Sequence, residues 1–177
     1  TFIFLILVLL LIINHLNFII MGYTHYIKAK RTVSKTALKK ITADVKVIEQ
    51  YMESIGQPLF DGSGETKGVE YDKDSIQFNG DESKGESHET FCITNWVSGG
   101  DSCKTARKPY DLAVVMTLLS IREHCPTSSI VISTDGDMED WKEAIDTFNK
   151  LFPNVQNTYV FGGRYNDTLF YKKFKSQ

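Results

Sequence analysis

Residues 1–20 read TFIFLILVLLLIINHLNFII and hold no charge, no glycine and no proline. From Met21 onward, charged and apolar residues interleave with helical and strand-like periods. That break constrains the fold more than any motif, because every amphipathic segment lies after it. A secretory signal needs a basic start and a small-residue cleavage site, and the run has neither. A membrane anchor needs roughly 20 mostly apolar residues, which the run with Met21 just supplies. Lys28, Lys30 and Arg31 behind it would then hold the following domain on the cytoplasmic side. The third reading is translated upstream sequence: the chain opens on Thr, and Phe, Ile, Leu and Asn are what A/T-rich DNA encodes. We expect the globular domain to begin at Met21, with residues 1–20 upstream sequence or else an anchor. Either way the domain is expected in the cytoplasm.

The rest of the chain has the length and apolar content for one sizeable core, with 42% hydrophobic residues overall and few prolines. Residues 23–28 read as a short aromatic strand. Leu38, Ile41, Val45, Ile48, Met52 and Ile55 step by three and four, which predicts an amphipathic helix over residues 34–55. Its other face carries Lys35, Lys39, Lys40, Lys46 and Glu49, and Gly56 and Pro58 end it. The basic run reads most simply as a solvated face. Residues 60–87 are rich in Gly, Asp, Glu and Ser and read as loop, with one strand at Ser75–Phe78 and a turn at Asn79-Gly80.

Residues 88–97 alternate as a strand, and the turn at residues 98–101 is expected to close a hairpin onto residues 102–105. Residues 109–124 read as a buried helix, with Pro109 at its first position. A buried strand at residues 129–133 and a third helix at residues 137–152 follow. Residues 156–177 read as an extension of the domain at residues 21–155, with a strand at 158–161. The order predicts an α+β fold: a single mixed, mostly antiparallel sheet with about three helices packed on it.

The net charge of −2 gives no global pull towards nucleic acid. Cys92, Cys103 and Cys125 are sparse and form no CxxC pair, so neither a disulfide framework nor a zinc site is suggested. The densest group of functional side chains is Cys103-Lys104-Thr105-Ala106-Arg107-Lys108-Pro109-Tyr110-Asp111. It runs into the N-terminus of the buried helix, where unpaired N–H groups and the helix dipole favour an anion. Lys104, Thr105, Arg107, Lys108, Tyr110 and Asp111 are therefore the candidate ligand-binding residues. Pairing of Arg107 with Asp111 is the competing structural role.

His88, His25 and Glu89 are the candidate catalytic residues. His88 and Thr90 share a strand face, half of the arrangement that two-histidine phosphoesterases use for acid and base. The second half, at Thr24-His25-Tyr26, lacks the hydroxyl two residues on. Asp135-Gly136-Asp137 could hold Mg²⁺, but helix capping and a turn account for the same residues. No metal and no cofactor are predicted.

Three blocks carry a resemblance: Met21-Gly-Tyr-Thr-His-Tyr, Ser87-His-Glu-Thr-Phe, and the Cys103–Asp111 segment. Together they resemble a family of uncharacterised small bacteriophage-encoded proteins, over residues 21 to about 152. The resemblance implies a start at Met21 and brings no activity with it. The sequence thus leads to an anionic small molecule or nucleotide as ligand. Phosphoester hydrolysis or transfer is the first guess if the protein is an enzyme. The alternative is a non-catalytic module that binds a host or phage protein through the acidic loop 61–86 or the aromatic start at Tyr23–Tyr26. No specific nucleic-acid signal is present, and a membrane enters only if residues 1–20 are genuine.

Overall fold

The computed structural model describes residues 22–94, 99–155, 157–162 and 168–173, and the apolar run at 1–20 lies outside them. The chain runs β1 (Thr24–Ala29), α1 (Lys35–Ser54), β2 (Glu70–Tyr71), β3 (Ser75–Phe78), a 3₁₀ turn (Glu82–Lys84) and β4 (Phe91–Thr94). It continues with β5 (Gly99–Lys104), α2 (Asp111–His124), β6 (Ile130–Thr134), α3 (Lys142–Leu151), β7 (Asn157–Gly162) and β8 (Thr168–Lys173).

The fold is α+β, as expected, but the sheet is not single. A five-stranded sheet has the order β5-β1-β6-β8-β7, and a separate three-stranded sheet has the order β2-β3-β4. Every strand pairing among the described residues is antiparallel, so neither sheet is mixed.

The split has a physical cause. The expected hairpin would have paired residues 88–97 with 102–105. Of that pairing the bond from the Glu89 amide to Lys104 O is present, but the ladder of β4 is made with β3, where Phe91 and Ile93 stand opposite Phe78 and Ile76, and all four are buried. Cross-strand apolar pairs of this kind decide register. The stretch GGDSCK of β5 offers only Cys103 to such a pair, and it pairs along β1 instead. The turn itself falls mostly at residues 95–98, outside the described residues.

Helix α1 forms where the spacing predicts. Ser34 caps it by accepting a hydrogen bond from the Ala37 amide at 3.1 Å, an interaction worth about 1 kcal/mol. Gly56 ends it at φ 75°, a left-handed position that favours glycine. Its buried side chains, Leu38, Ile41, Val45, Ile48 and Met52, pack towards α2, which also packs against α3. Residues 113–122 of α2 are all buried, which makes it the central helix. Each fully buried aliphatic or aromatic side chain contributes about 1.5–3 kcal/mol relative to exposure.

Two helix starts are later than expected. Pro109 and Tyr110 form a turn before α2, and residues 138–141 form a turn before α3. In that second turn Asp137 Oδ1 accepts from the amides of Glu139 and Asp140. Its short side chain thus competes with the helix for the backbone.

Strand β1 alternates strictly: Tyr23, His25, Ile27 and Ala29 are buried, while Tyr26, Lys28 and Lys30 are exposed. The C-terminal segment joins the same sheet through β6–β8 pairing, and Tyr159 and Leu169 enter the core. No helix of the described residues is long and apolar enough to cross a membrane.

Candidate functional site

The site is assembled where β1, the end of β5, the start of α2 and the turn before α3 meet. Alternation along β1 drives His25 inward, to 1% exposure. Its Nε2 lies 2.8 Å from Asp111 Oδ1, on the first residue of α2. The Thr105 hydroxyl, itself fully buried, donates to the same oxygen at 2.5 Å. Asp111 thus gathers two side-chain donors at a helix N-terminus, where a carboxylate is favoured. With the carboxylate as acceptor, the proton sits on Nε2. The buried Nδ1 then has no hydrogen-bond partner. Tyr23 and Trp141 enclose the imidazole edge-on, at ring-centroid distances of 4.9 and 5.6 Å.

Between Thr105 and α2 the backbone takes an uncommon path. Ala106 and Arg107 both have positive φ, at 51° and 56°. Left-handed geometry costs a non-glycine residue about 1–2 kcal/mol. The path is held by amides of Thr105 and Ala106, which donate to the Tyr23 carbonyl, and by the Lys108 amide, which donates to Thr105 O. Its effect is to lay the Arg107 guanidinium over the Tyr23 ring, with Cζ 4.0 Å from the centroid, a cation–π arrangement. Arg107 Nη2 also contacts both oxygens of Asp140, at 3.1 and 3.3 Å. Gly136 permits this packing, because a Cβ there would stand 2.6 Å from the Tyr23 hydroxyl.

Burial is the main cause that raises the Tyr23 phenol above the ordinary tyrosine range, with the Asp111 and Asp140 carboxylates adding to it. Tyr110 is raised likewise, by burial first and then by the Cys103 thiol. Cys103 is pushed up to about 12, again mainly by burial. These groups are proton-holding wall material rather than nucleophiles at neutral pH.

Beside this cluster lies a cleft of about 240 Å³, lined by Arg107, Lys108, Asp111, Asp140, Glu143 and Gln57 over an apolar floor. Two cations therefore face three carboxylates. Arg107 is answered by Asp140 rather than by Asp111. Lys108 Nζ donates to the Gly85 carbonyl at 2.7 Å.

The sequence-predicted residues divide. Thr105, Arg107, Lys108, Asp111 and His25 come together here, and Tyr110 braces the group from the core, its hydroxyl donating to Glu89 O at 2.7 Å. Lys104 is half-buried, and its amide donates to Glu89 Oε2 at 2.6 Å. His88 is exposed, and its hydrogen bonds are main-chain bonds with the Asn79 side chain. Thr90 donates to Gly62 O, so no bond links the two histidines or completes a paired His-x-Thr arrangement.

Tyr23, Asp140, Trp141 and Glu143 escape sequence reasoning. Tyr23 alone had a signal, since it stands two residues before His25 on the same strand face. No family model matches the chain, and no curated protein or solved structure is significantly similar to it.

Proposed function

We propose that the protein is a small cytoplasmic, phage-like protein whose cleft at the start of α2 binds an anionic, nucleotide-like ligand. The observation that carries this reading is the pair of left-handed residues, Ala106 and Arg107. A chain accepts such geometry where the surroundings enforce it, and it recurs at ligand-binding sites. Here it aims a guanidinium into a cleft that Lys108 and the N-terminus of α2 also border. A phosphate would take Arg107 from Asp140 and gain the bidentate contacts that guanidinium supports.

The three carboxylates explain why a bare phosphate is a poorer fit than a nucleotide. Asp140 and Glu143 repel charge but accept hydrogen bonds from sugar hydroxyls or base amino groups. The cleft, at about 240 Å³, is slightly below the usual small-molecule range of about 300–1,000 Å³. That suits a phosphate and its sugar more than a dinucleotide.

His25 acts in this reading as a positioning residue. It is enclosed behind Asp111 and fixes that carboxylate. If chemistry follows binding, phosphoester hydrolysis or transfer remains the first guess, and Asp111 rather than His88 borders the cleft. The rival, a module that docks on a host or phage protein, would use Tyr23–Tyr26 or the acidic loop. Tyr23 is buried while Tyr26 is exposed, with its hydroxyl donating to Asp135, and Asp61 in the loop is engaged locally by Ser63 and Glu65; one exposed ring is a small surface for docking.

The test is thermal unfolding of the full chain with adenosine monophosphate and with pyrophosphate. Stabilisation by the nucleotide that disappears in Arg107→Ala is expected. An equal shift in the variant would sink the assignment.

A further inference from the structure

A second groove lies away from this cleft, on the outer side of α1. Lys35, Lys39 and Lys46 of α1 form one wall, and the β2–β3 turn, with Asp72, Lys73 and Asp74, forms the other. The floor includes Leu38 and Ala43, and the volume is about 470 Å³. Lys46 is laid over the Tyr71 ring at 5.2 Å. Lys35, Lys39 and Lys73 make no ion pair among the described residues.

This charge is locally unfavourable. The first turn of α1 has no acidic residue, so Lys35 sits unanswered at the positive end of the helix dipole. Lys35 and Lys39 are also like charges four residues apart, which destabilises a helix by some tenths of a kcal/mol. Exposed Lys28, Lys30 and Arg31 lead into the same helix. The chain as a whole carries −2, so this is a local concentration and not a general property.

We infer that the groove binds single-stranded nucleic acid, with Lys35, Lys39 and Lys73 meeting phosphates along the strand. Lys35 and Lys46 are separated by about 16 Å along the helix axis. One phosphate cannot reach both, whereas a strand can. The groove is concave, which a flat bilayer does not fill. Asp72 and Asp74 repel an acidic peptide and a phosphate backbone alike, and an acidic side chain offers them no donor. They can instead accept hydrogen bonds from base amino groups, while Leu38 and Ala43 give bases an apolar floor. Among the described residues no aromatic ring lines the groove, so stacking adds little. Binding therefore depends chiefly on phosphate contacts and is strongly salt-dependent.

The experiment is fluorescence anisotropy of the full chain with a labelled single-stranded oligodeoxycytidine of about twelve nucleotides, whose bases carry amino groups, titrated at several salt concentrations. Binding that weakens linearly in log–log salt is expected. Lys39→Ala and Lys73→Ala should each reduce that slope by about 0.7. The double variant Lys39→Glu/Lys73→Glu should lose on the order of tenfold or more in affinity at low salt. Lys39→Glu alone should lose several-fold, whereas Lys40→Glu, the same charge change as Lys39→Glu on an exposed residue of α1 outside the groove, should change affinity by no more than about twofold. Any of three results overturns the inference: no binding at low salt, equal damage from Lys40→Glu and Lys39→Glu, or tighter binding to phosphatidylserine vesicles or polyglutamate than to the oligonucleotide.

Discussion

At the scale of single residues, Ala106 and Arg107 shape the edge of the cleft. Their φ values of 51° and 56° are held by three main-chain hydrogen bonds and place one guanidinium. If the geometry is strained for the sake of that placement, relieving it should stabilise the fold. Ala106→Gly removes a left-handed cost of about 1–2 kcal/mol and adds unfolded-state entropy of about 0.5–1 kcal/mol. A gain of up to about 1 kcal/mol, or about 2–4 °C in melting temperature, is expected from thermal unfolding. A loss of that size would show that Ala106 is not strained. Much of this site was legible because Thr105, Arg107, Lys108 and Asp111 are neighbours in sequence. The His25 contact was half legible: strand alternation places its side chain inward, but only the tertiary fold brings it to Asp111. His88 lies apart from this cluster for a local reason. Its segment is held by main-chain bonds to Asn79, which leaves the ring in solvent.

Among the elements, the junction of α1 and α2 contains a second carboxylate–histidine pair. Asp44 Oδ2 accepts from the Ser120 hydroxyl at 2.7 Å and faces His124 Nε2 at 2.8 Å. Ser120 is fully buried, so removing Asp44 leaves its hydroxyl unpaired. Asp44→Ala should cost about 1–3 kcal/mol, read as a lower midpoint in urea unfolding at neutral pH. A change below about 0.5 kcal/mol, the size of an ordinary surface substitution, would show that the pair does not tie the helices together. The helices themselves were readable, because Leu38 through Met52 repeat on one face and α2 is apolar all round. The sheets were less so. Periodicity says which side of a strand is buried, not which strand it meets, and the choice of Phe78 and Ile76 as partners for Phe91 and Ile93 is made by packing. Likewise the expected strand at 158–161 is present as β7, but its pattern did not show that it and β8 extend the larger sheet from the edge of β6.

For the whole molecule, the buried proton-holding groups set a pH limit. Cys103 is raised from 9.0 to about 12, and Tyr23, Tyr71 and Tyr110 are raised above 10.0, all chiefly by burial. Each keeps its proton in the folded state at a pH where the unfolded chain has lost it. Their contribution is complete below about pH 9 and is lost as pH rises from about 9 towards 12. Denaturation midpoints should therefore fall through that window, and a flat or rising profile would contradict the burial of these groups. At the same scale stands the proposal that one cleft receives a nucleotide-like anion at Arg107. Its most direct test is a crystal structure of the full chain soaked with adenosine monophosphate. Phosphate density within hydrogen-bond distance of Arg107 and Lys108, with Arg107 parted from Asp140, is the result expected. An empty cleft with the Arg107–Asp140 contact intact, or nucleotide bound elsewhere, would contradict it.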